Sequence, residues 1–278
     1  MPETLIVHPI QAPVRDRAFD LVQTILDALK DADLQLQDGD VLAVSSKYAA
    51  IAAGRIYKLD DIQATPRARQ LAQRYNMSAA IAQLVLEEAD HVFGGIGQGF
   101  LLTARGGIIS PNAGLDRSNI PSGQVVLLPA DPFKSAQTVF EALRQRLGRH
   151  VGLILTDSWL LPGRYGTGGI ALGAAGFKPI KDERGKHDLF GNPMAVTQVG
   201  VADSLAACAQ VVMGERDQAT PFALLRGADI ELTLRPYSPA DMSIPWQQCI
   251  YVESLTLGLL PEGAPQRQSI SVNDSADG

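Results

Sequence analysis

The chain has 278 residues, 46% of them hydrophobic and 19% charged, with a formal net charge of -6. That is enough apolar material for one large domain or two closely packed lobes, and an acidic chain without a Lys/Arg stripe is poorly suited to neutralising nucleic-acid phosphates. The first residues lack a basic stretch followed by a long apolar run, and no segment approaches the roughly 18–20 apolar residues that span a bilayer, so a cytoplasmic protein with neither membrane nor nucleic acid as partner is expected.

Short β-rich runs alternate with helical patterns, which points to a mixed α/β fold. Residues 5–7 read as a first strand, and 17–31 carry apolar residues at helical spacing. Gly39-Asp40 turns the chain into a buried-type strand at 41–44. Residues 65–75 and 78–88 read as helices, the second with Ser78 as its N-cap. The run Gly95-Ile96-Gly97-Gln98-Gly99 has no strand-then-helix context, so it is not a dinucleotide fingerprint; residues 92–109 read instead as a hairpin with glycine turns. A strand at 125–128, a helix at 135–147 and a continuous apolar strand at 151–155 follow. Residues 203–213 read as a buried helix. The polar stretch 262–278 reads as a disordered tail beyond a ligand-binding domain spanning 1–261. Cys208 and Cys249 form no CxxC pair and read as reduced thiols.

Two carboxylates stand out by position. Asp157 ends the apolar strand VGLILTD, and ligands in α/β proteins are met at the carboxyl ends of strands. Asp116 lies in the turn-rich NAGLDRSN. Magnesium or manganese takes one or two carboxylates and completes its shell with water and phosphate oxygens, and Ser158 adds a further oxygen beside Asp157. On spacing alone, both aspartates serve equally well as turn or helix caps. The segment 163–169 (GRYGTGG) offers glycine-rich backbone for an anion nest, with Arg164 inside it to stabilise a transferring phosphoryl group; a flexible loop with a solvated arginine fits as well. Asp217 is either a further ligand or part of a polar helix exit. His8, His91, His150 and His187 show no paired metal spacing, and neither a P-loop nor a GxSxG elbow is present.

Four stretches carry a family resemblance: GDVLAVSSKYAAIAAGR (39–55), NAGLDRSNIPSG (112–123), LLPADPFKSA (127–136), and the block from LILTDSW through KDERGKHDLFGNPMAVTQVGVAD to VMGERDQATPFALLRG. In this order they resemble the coenzyme F-420-0:L-glutamate ligase family over most of residues 5–227. The resemblance implies a two-lobed mixed α/β fold, an intertwined homodimer, GTP as co-substrate and two divalent cations, magnesium or manganese. It implies that GTP phosphorylates the terminal carboxylate of the deazaflavin coenzyme F-420-0 and that L-glutamate then forms an amide. Carried over by position, Asp116 and Asp157 bind the first metal, and Ser158 and Asp217 the second. Ile10, Gln11, Ala12, Pro13, Ser46 and Asn119 contact the nucleotide, with Lys47 beside them. The loop Glu215, Arg216, Asp217, Gln218, Ala219, Thr220, Pro221 and Phe222 does the same. The chain departs from the family pattern at Ile51 and Ala53, where a lysine and a glutamate are usual, and at Leu160 and Leu161, where Gly-Arg is usual. Two other readings therefore stay open: the same chemistry on another acceptor, such as a folate-like pterin, and a nucleotide-binding protein without ligase activity.

Overall fold

The computed structural model of the chain describes residues 4–256. Its elements run β1 (Ile6–Ile10), α1 (Leu21–Asp31), β2 (Val41–Ser45), α2 (Ser46–Ala52), β3 (Ile56–Lys58), α3 (Pro66–Tyr75), α4 (Ala79–Glu88), β4 (His91–Ile96), β5 (Phe100–Arg105), β6 (Ile108–Pro111) and β7 (Gln124–Val126). They continue with α5 (Pro132–Leu147), β8 (Gly152–Leu160), β9 (Thr167–Ala175), β10 (Ile180–Asp182), β11 (Gln198–Gly200), α6 (Val201–Met213), β12 (Phe222–Arg226) and α7 (Ile250–Thr256). The fold is mixed α/β, as expected. The chain clusters into two compact units, Met1–Ser243 and Ile244–Gly278. In the second, the described residues form a 3-10 turn at Trp246–Gln248 and then α7. The expected tail, 262–278, lies outside the described residues.

Local chemistry sets the helix boundaries. The first helix begins at Leu21, later than the periodicity suggests, because the Asp20 carboxylate caps it by accepting from the Gln23 N–H at 2.9 Å. Conversely, α5 starts three residues early: Asp131 caps it and Pro132, with φ already set, takes the first helical position. Ser78 does occupy the N-cap position of α4, but its side chain makes no capping bond. The helix α2 was not apparent from the sequence. It is two turns long, and Ser45 caps it by accepting from the Tyr48 N–H.

Five strands form the main sheet in the order β1-β12-β2-β8-β9. Within it β2 and β8 run parallel, and the other neighbours antiparallel. Alternation sends Leu42, Val44, Leu153 and Leu155 to one face, against Ile25 and Ala28 of α1 and Phe140 and Leu143 of α5. It sends Val41, Ala43 and Ile154 to the other face, against Ala202, Leu205, Ala206 and Ala209 of α6. Asp40, 2% exposed, is paired with Arg226 at 2.7 Å, which ties the start of β2 to the end of β12. A separate apolar cluster packs α4 on β5 and β7 through Ile81, Leu84, Val85, Leu101 and Val125. Here the expected hairpin is a three-stranded meander, β4-β5-β6. Arg55 and Arg105 share the Glu88 carboxylate at 2.6 and 2.7 Å and hold the end of α4 to the start of β3 and the end of β5.

The glycine-rich stretch 163–169 is part turn and part strand. A turn occupies 161–166, and from Thr167 the chain pairs with β8 as β9. Its glycines are there because β9 lies between two helices. A Cβ on Gly173 would stand 2.6 Å from the Pro132 carbonyl oxygen at the start of α5, and one on Gly169 would run into the Ala206 carbonyl of α6. Backbone on both sides leaves nothing able to move aside. Gly173→Ala is therefore expected to lower the unfolding free energy by about 2 kcal/mol or more in denaturant titration. Gly97→Ala, where a Cβ meets nothing within 4 Å, should stay within about 0.5 kcal/mol of the unaltered protein. Equal effects at the two positions would contradict this packing.

Candidate functional site

The register of the parallel pair sets the site. Ser45 lies opposite Thr156, so β2 and β8 deliver their carboxyl ends side by side, and a cavity of about 970 Å³ opens there, where open α/β sheets meet ligands. Beyond Thr156, β8 continues to Leu160 by pairing with β9, which holds Asp157, Ser158 and Trp159 in extended backbone along the cavity wall. The Trp159 indole N–H donates to the Ile109 carbonyl at 2.8 Å.

Asp157 sits at the floor. Its Oδ2 accepts from the Ser46 hydroxyl at 2.5 Å and its Oδ1 from the Ser158 N–H at 2.8 Å. Burial pushes its pKa up to about 6, with the Asp116 charge adding to the rise against the two hydrogen bonds and Lys47. Asp116 is shifted in the opposite direction. Burial raises it, but the Lys47 ammonium at 2.7 Å and the Ser118 N–H outweigh that and hold it below the usual carboxylate range. Lys47 also donates to the Ser118 hydroxyl at 3.0 Å.

Asp116 is delivered by an unusual turn. Asn112, Ala113 and Gly114 take φ of 49°, 53° and 74° in succession, a conformation that costs a residue with a Cβ about 1 kcal/mol or more. Strand β5 compensates: the Asn112 Oδ1 accepts from the Leu101 N–H, and the Ala113 N–H donates to the buried Thr103 hydroxyl. Gly114 is required twice over, since a Cβ there would meet Leu128 at 2.5 Å. The Asp116 backbone then pairs with Val126 in both directions. The site thus draws one aspartate from the main sheet and one from the turn after β6.

The remaining candidates separate by position. Ala12, Pro13, Lys47, Asn119, Ser158 and the chain from Glu215 through Pro221 all line the cavity. They are held together: the Ala12 N–H donates to the Ala219 carbonyl, the Tyr48 hydroxyl to the Pro13 carbonyl, and the Asn119 amide to the Arg216 carbonyl at 2.6 Å. Ile10 and Phe222 face each other across β1 and β12 in the core and do not line it. Gln11 lies outside the lining and reaches the Gln218 carbonyl. Ser46 is fully buried behind Asp157. Arg164 is exposed on the turn between β8 and β9 and is not a lining residue. Ile51 lines the cavity yet is only 3% exposed, packed with Ala50, Val126 and Ile120, so the wall at this position is apolar. Sequence reasoning missed Arg15, Tyr48, Ser118, Thr156 and Trp159. Among these only Tyr48 carried a signal, its place in the Ser-Ser-Lys-Tyr run directly after a buried strand.

The donor set suits a hard cation. Among the described residues no three His, Cys, Asp or Glu side chains form a cage. Two carboxylates facing one cavity are what magnesium or manganese uses when water and phosphate complete the shell. The Thr156 hydroxyl, 1% exposed beside them, has no hydrogen-bond partner among the described residues, and an orphaned buried polar atom is expected where a bound group belongs.

A sequence model described as F420-0:Gamma-glutamyl ligase matches residues 9–227, a span that contains the whole cavity lining. The chain belongs to this family. It is 37% identical over 231 residues to the coenzyme F420:L-glutamate ligase of Methanopyrus kandleri, covering 82% of this chain and 89% of the relative. The proteins of the same name from Archaeoglobus fulgidus and Methanothermobacter thermautotrophicus are 35% and 34% identical, covering 81% and 77% of the chain and 88% and 85% of theirs. As a member of this ligase family the chain is an enzyme. Among the described residues no helix is long and apolar enough to cross a membrane.

The raised pKa of Asp157 has a consequence for stability. Below about pH 4 the carboxyl is neutral in both folded and unfolded chains. As pH rises from 4 through 6 the unfolded chain loses its proton first, and the folded state loses up to about 3 kcal/mol relative to it. Asp157→Asn removes the charge while its amide can donate to the Ser46 oxygen. In the presence of a chelator, the variant should be the more stable protein at pH 7, with the gain vanishing by pH 4. A gain independent of pH would contradict the burial argument.

Proposed function

We propose that this chain ligates L-glutamate to the terminal carboxylate of coenzyme F-420-0, using GTP and divalent cations, and forming GDP and phosphate. The observation that carries this reading is the meeting of Asp116 and Asp157 in one cavity at the carboxyl ends of β2 and β8. The lining carries five carboxylates (Asp16, Asp116, Asp157, Glu215, Asp217) against three cations (Arg15, Lys47, Arg216). Such a site repels a triphosphate unless further positive charge enters with it. Bound at Asp116 and Asp157, with Ser158 and Asp217 serving a second ion, magnesium or manganese would screen the phosphates and polarise the γ-phosphoryl group.

A carboxylate is a poor electrophile. In the proposed sequence its oxygen attacks the γ-phosphorus, the bond to the GDP oxygen breaks, and an acyl phosphate results. The glutamate amine, after losing a proton, attacks the acyl carbon and expels phosphate, leaving the amide. Within the cavity Lys47, which ion-pairs with Asp116 at 2.7 Å, is placed to neutralise phosphate charge. Ala12, Pro13, Asn119 and the 215–221 chain form one hydrogen-bonded wall for the nucleotide. Arg164 would meet the transferring group from the turn whose flanking residues, Leu160 and Thr167, border the cavity. A GTP-consuming reaction of this kind belongs in the cytoplasm.

The protein is proposed to act as a homodimer. Leu189 and Phe190, 99% and 90% exposed, stand on the excursion between β10 and β11, and side chains this apolar and this exposed fit a contact with a second copy.

Phosphate release measured with GTP, manganese, L-glutamate and F-420-0 should require all four, with a mass gain of one glutamyl residue in the product. Asp157→Asn should lower turnover at least about 100-fold. Metal-dependent GTP binding without turnover on F-420-0 would contradict the proposed acceptor and favour a folate-like pterin or a non-catalytic protein. In light scattering, the double variant Leu189→Asp, Phe190→Asp should convert a dimer to a monomer; a monomeric unaltered protein would refute the assembly.

A further inference from the structure

The resemblance assigns Ser46 to the nucleotide, and in the structure its hydroxyl meets Asp157. Ser45 and Ser46 are adjacent and divide two tasks. Ser45 spends its hydroxyl on the helix, as the cap that accepts from the Tyr48 N–H. Ser46, the first residue of α2, is 0% exposed and is absent from the cavity lining, so no group in the cavity reaches its hydroxyl directly. That hydroxyl donates to Asp157 Oδ2 at 2.5 Å, across 111 residues of sequence.

We propose that Ser46 is a positioning residue for the cation site: its hydroxyl, from behind, fixes the rotation of the Asp157 carboxylate and so sets which lone pairs face the cavity. The inference rests on the reading of Asp157 as a metal ligand. The carboxylate has two donors, the Ser158 N–H on Oδ1 and the Ser46 O–H on Oδ2. The first lies on the same strand and constrains one oxygen alone. The second comes from another element, and the pair together stops rotation about the Cβ–Cγ bond. Each bond uses one lone pair and leaves the others of a charged acceptor free. Groups that orient a metal ligand in this way commonly contribute 10–100-fold to metal affinity. The parallel register makes the contact available, because Ser46 directly follows the residue opposite Thr156, and Asp157 follows Thr156.

The test compares the full-length protein with Ser46→Ala and Ser46→Thr by titrating manganese alone and reading free manganese by its paramagnetic resonance. Affinity for a fluorescent GTP analogue is then measured at saturating manganese. Ser46→Ala should weaken manganese binding about tenfold or more while leaving analogue affinity at saturating metal within about twofold. Ser46→Thr, which keeps the hydroxyl, should restore manganese binding to within about threefold. If Ser46→Ala does not fold, Ser46→Cys, similar in size but a weak donor, should show the same loss. Unchanged manganese affinity would overturn the proposal, as would a loss of analogue affinity that saturating metal does not repair, since that marks direct nucleotide contact. Failure of the unaltered protein to bind manganese would overturn the underlying metal reading, and would be seen before any variant is made.

Discussion

In β2 and β8 the chain runs in the same direction, with Ser45 opposite Thr156 at the point where both strands stop being core. Everything at the site depends on that register. It sets Ser46 against Asp157, opens α2 away from the strand ends, and leaves the cavity between the two exits. A slip of one residue would turn Asp157 to the opposite face of the sheet, toward α6 and away from Ser46. The register is itself well specified, because both faces of β2 and β8 are buried, one against α1 and α5 and the other against α6.

The turn after β6 contributes Asp116, at a cost in backbone strain. Three successive left-handed residues aim that aspartate across the cavity, and two side chains hold them there: the buried Thr103, at 0% exposure, and the half-buried Asn112 through its own amide. Strain retained where two carboxylates meet in one cavity fits a site maintained for ligand binding rather than for folding. The two aspartates also differ in character. Asp116 is kept ionised by Lys47, whereas Asp157 resists ionisation because it is buried. An arriving cation would stabilise the charge that the empty protein opposes at Asp157.

Much of the sheet was legible in the sequence because continuous apolar runs mark strands buried on both faces, as at 41–44 and 151–155. Asp157 was legible for the same reason, as the first charged residue after such a run. The glycine-rich stretch was not. Residues 163–169 read locally as a loop, whereas Gly169 stands in β9 and answers to helix backbone at Ala206, as Gly173 further along the strand does at Pro132, distances that no local pattern records. The same limit hid the contacts that organise the cavity. Lys47 meets Ser118 over 71 residues and Asn119 meets Arg216 over 97. The resemblance supplied the residues expected to contact a nucleotide, but it could not separate those that face the cavity, such as Asn119, from those outside its lining, such as Ile10, Phe222 and Ser46.

The central claim is that Asp116 and Asp157 together hold a divalent cation against a nucleotide in this cavity. Crystals grown with manganese and a non-hydrolysable GTP analogue would test it most directly, with data collected near the manganese absorption edge. The account predicts an anomalous peak in coordination range of both carboxylates, with phosphate oxygens completing the shell. Nucleotide bound in the cavity with no anomalous peak at either aspartate, or a peak bound elsewhere on the protein, would contradict it.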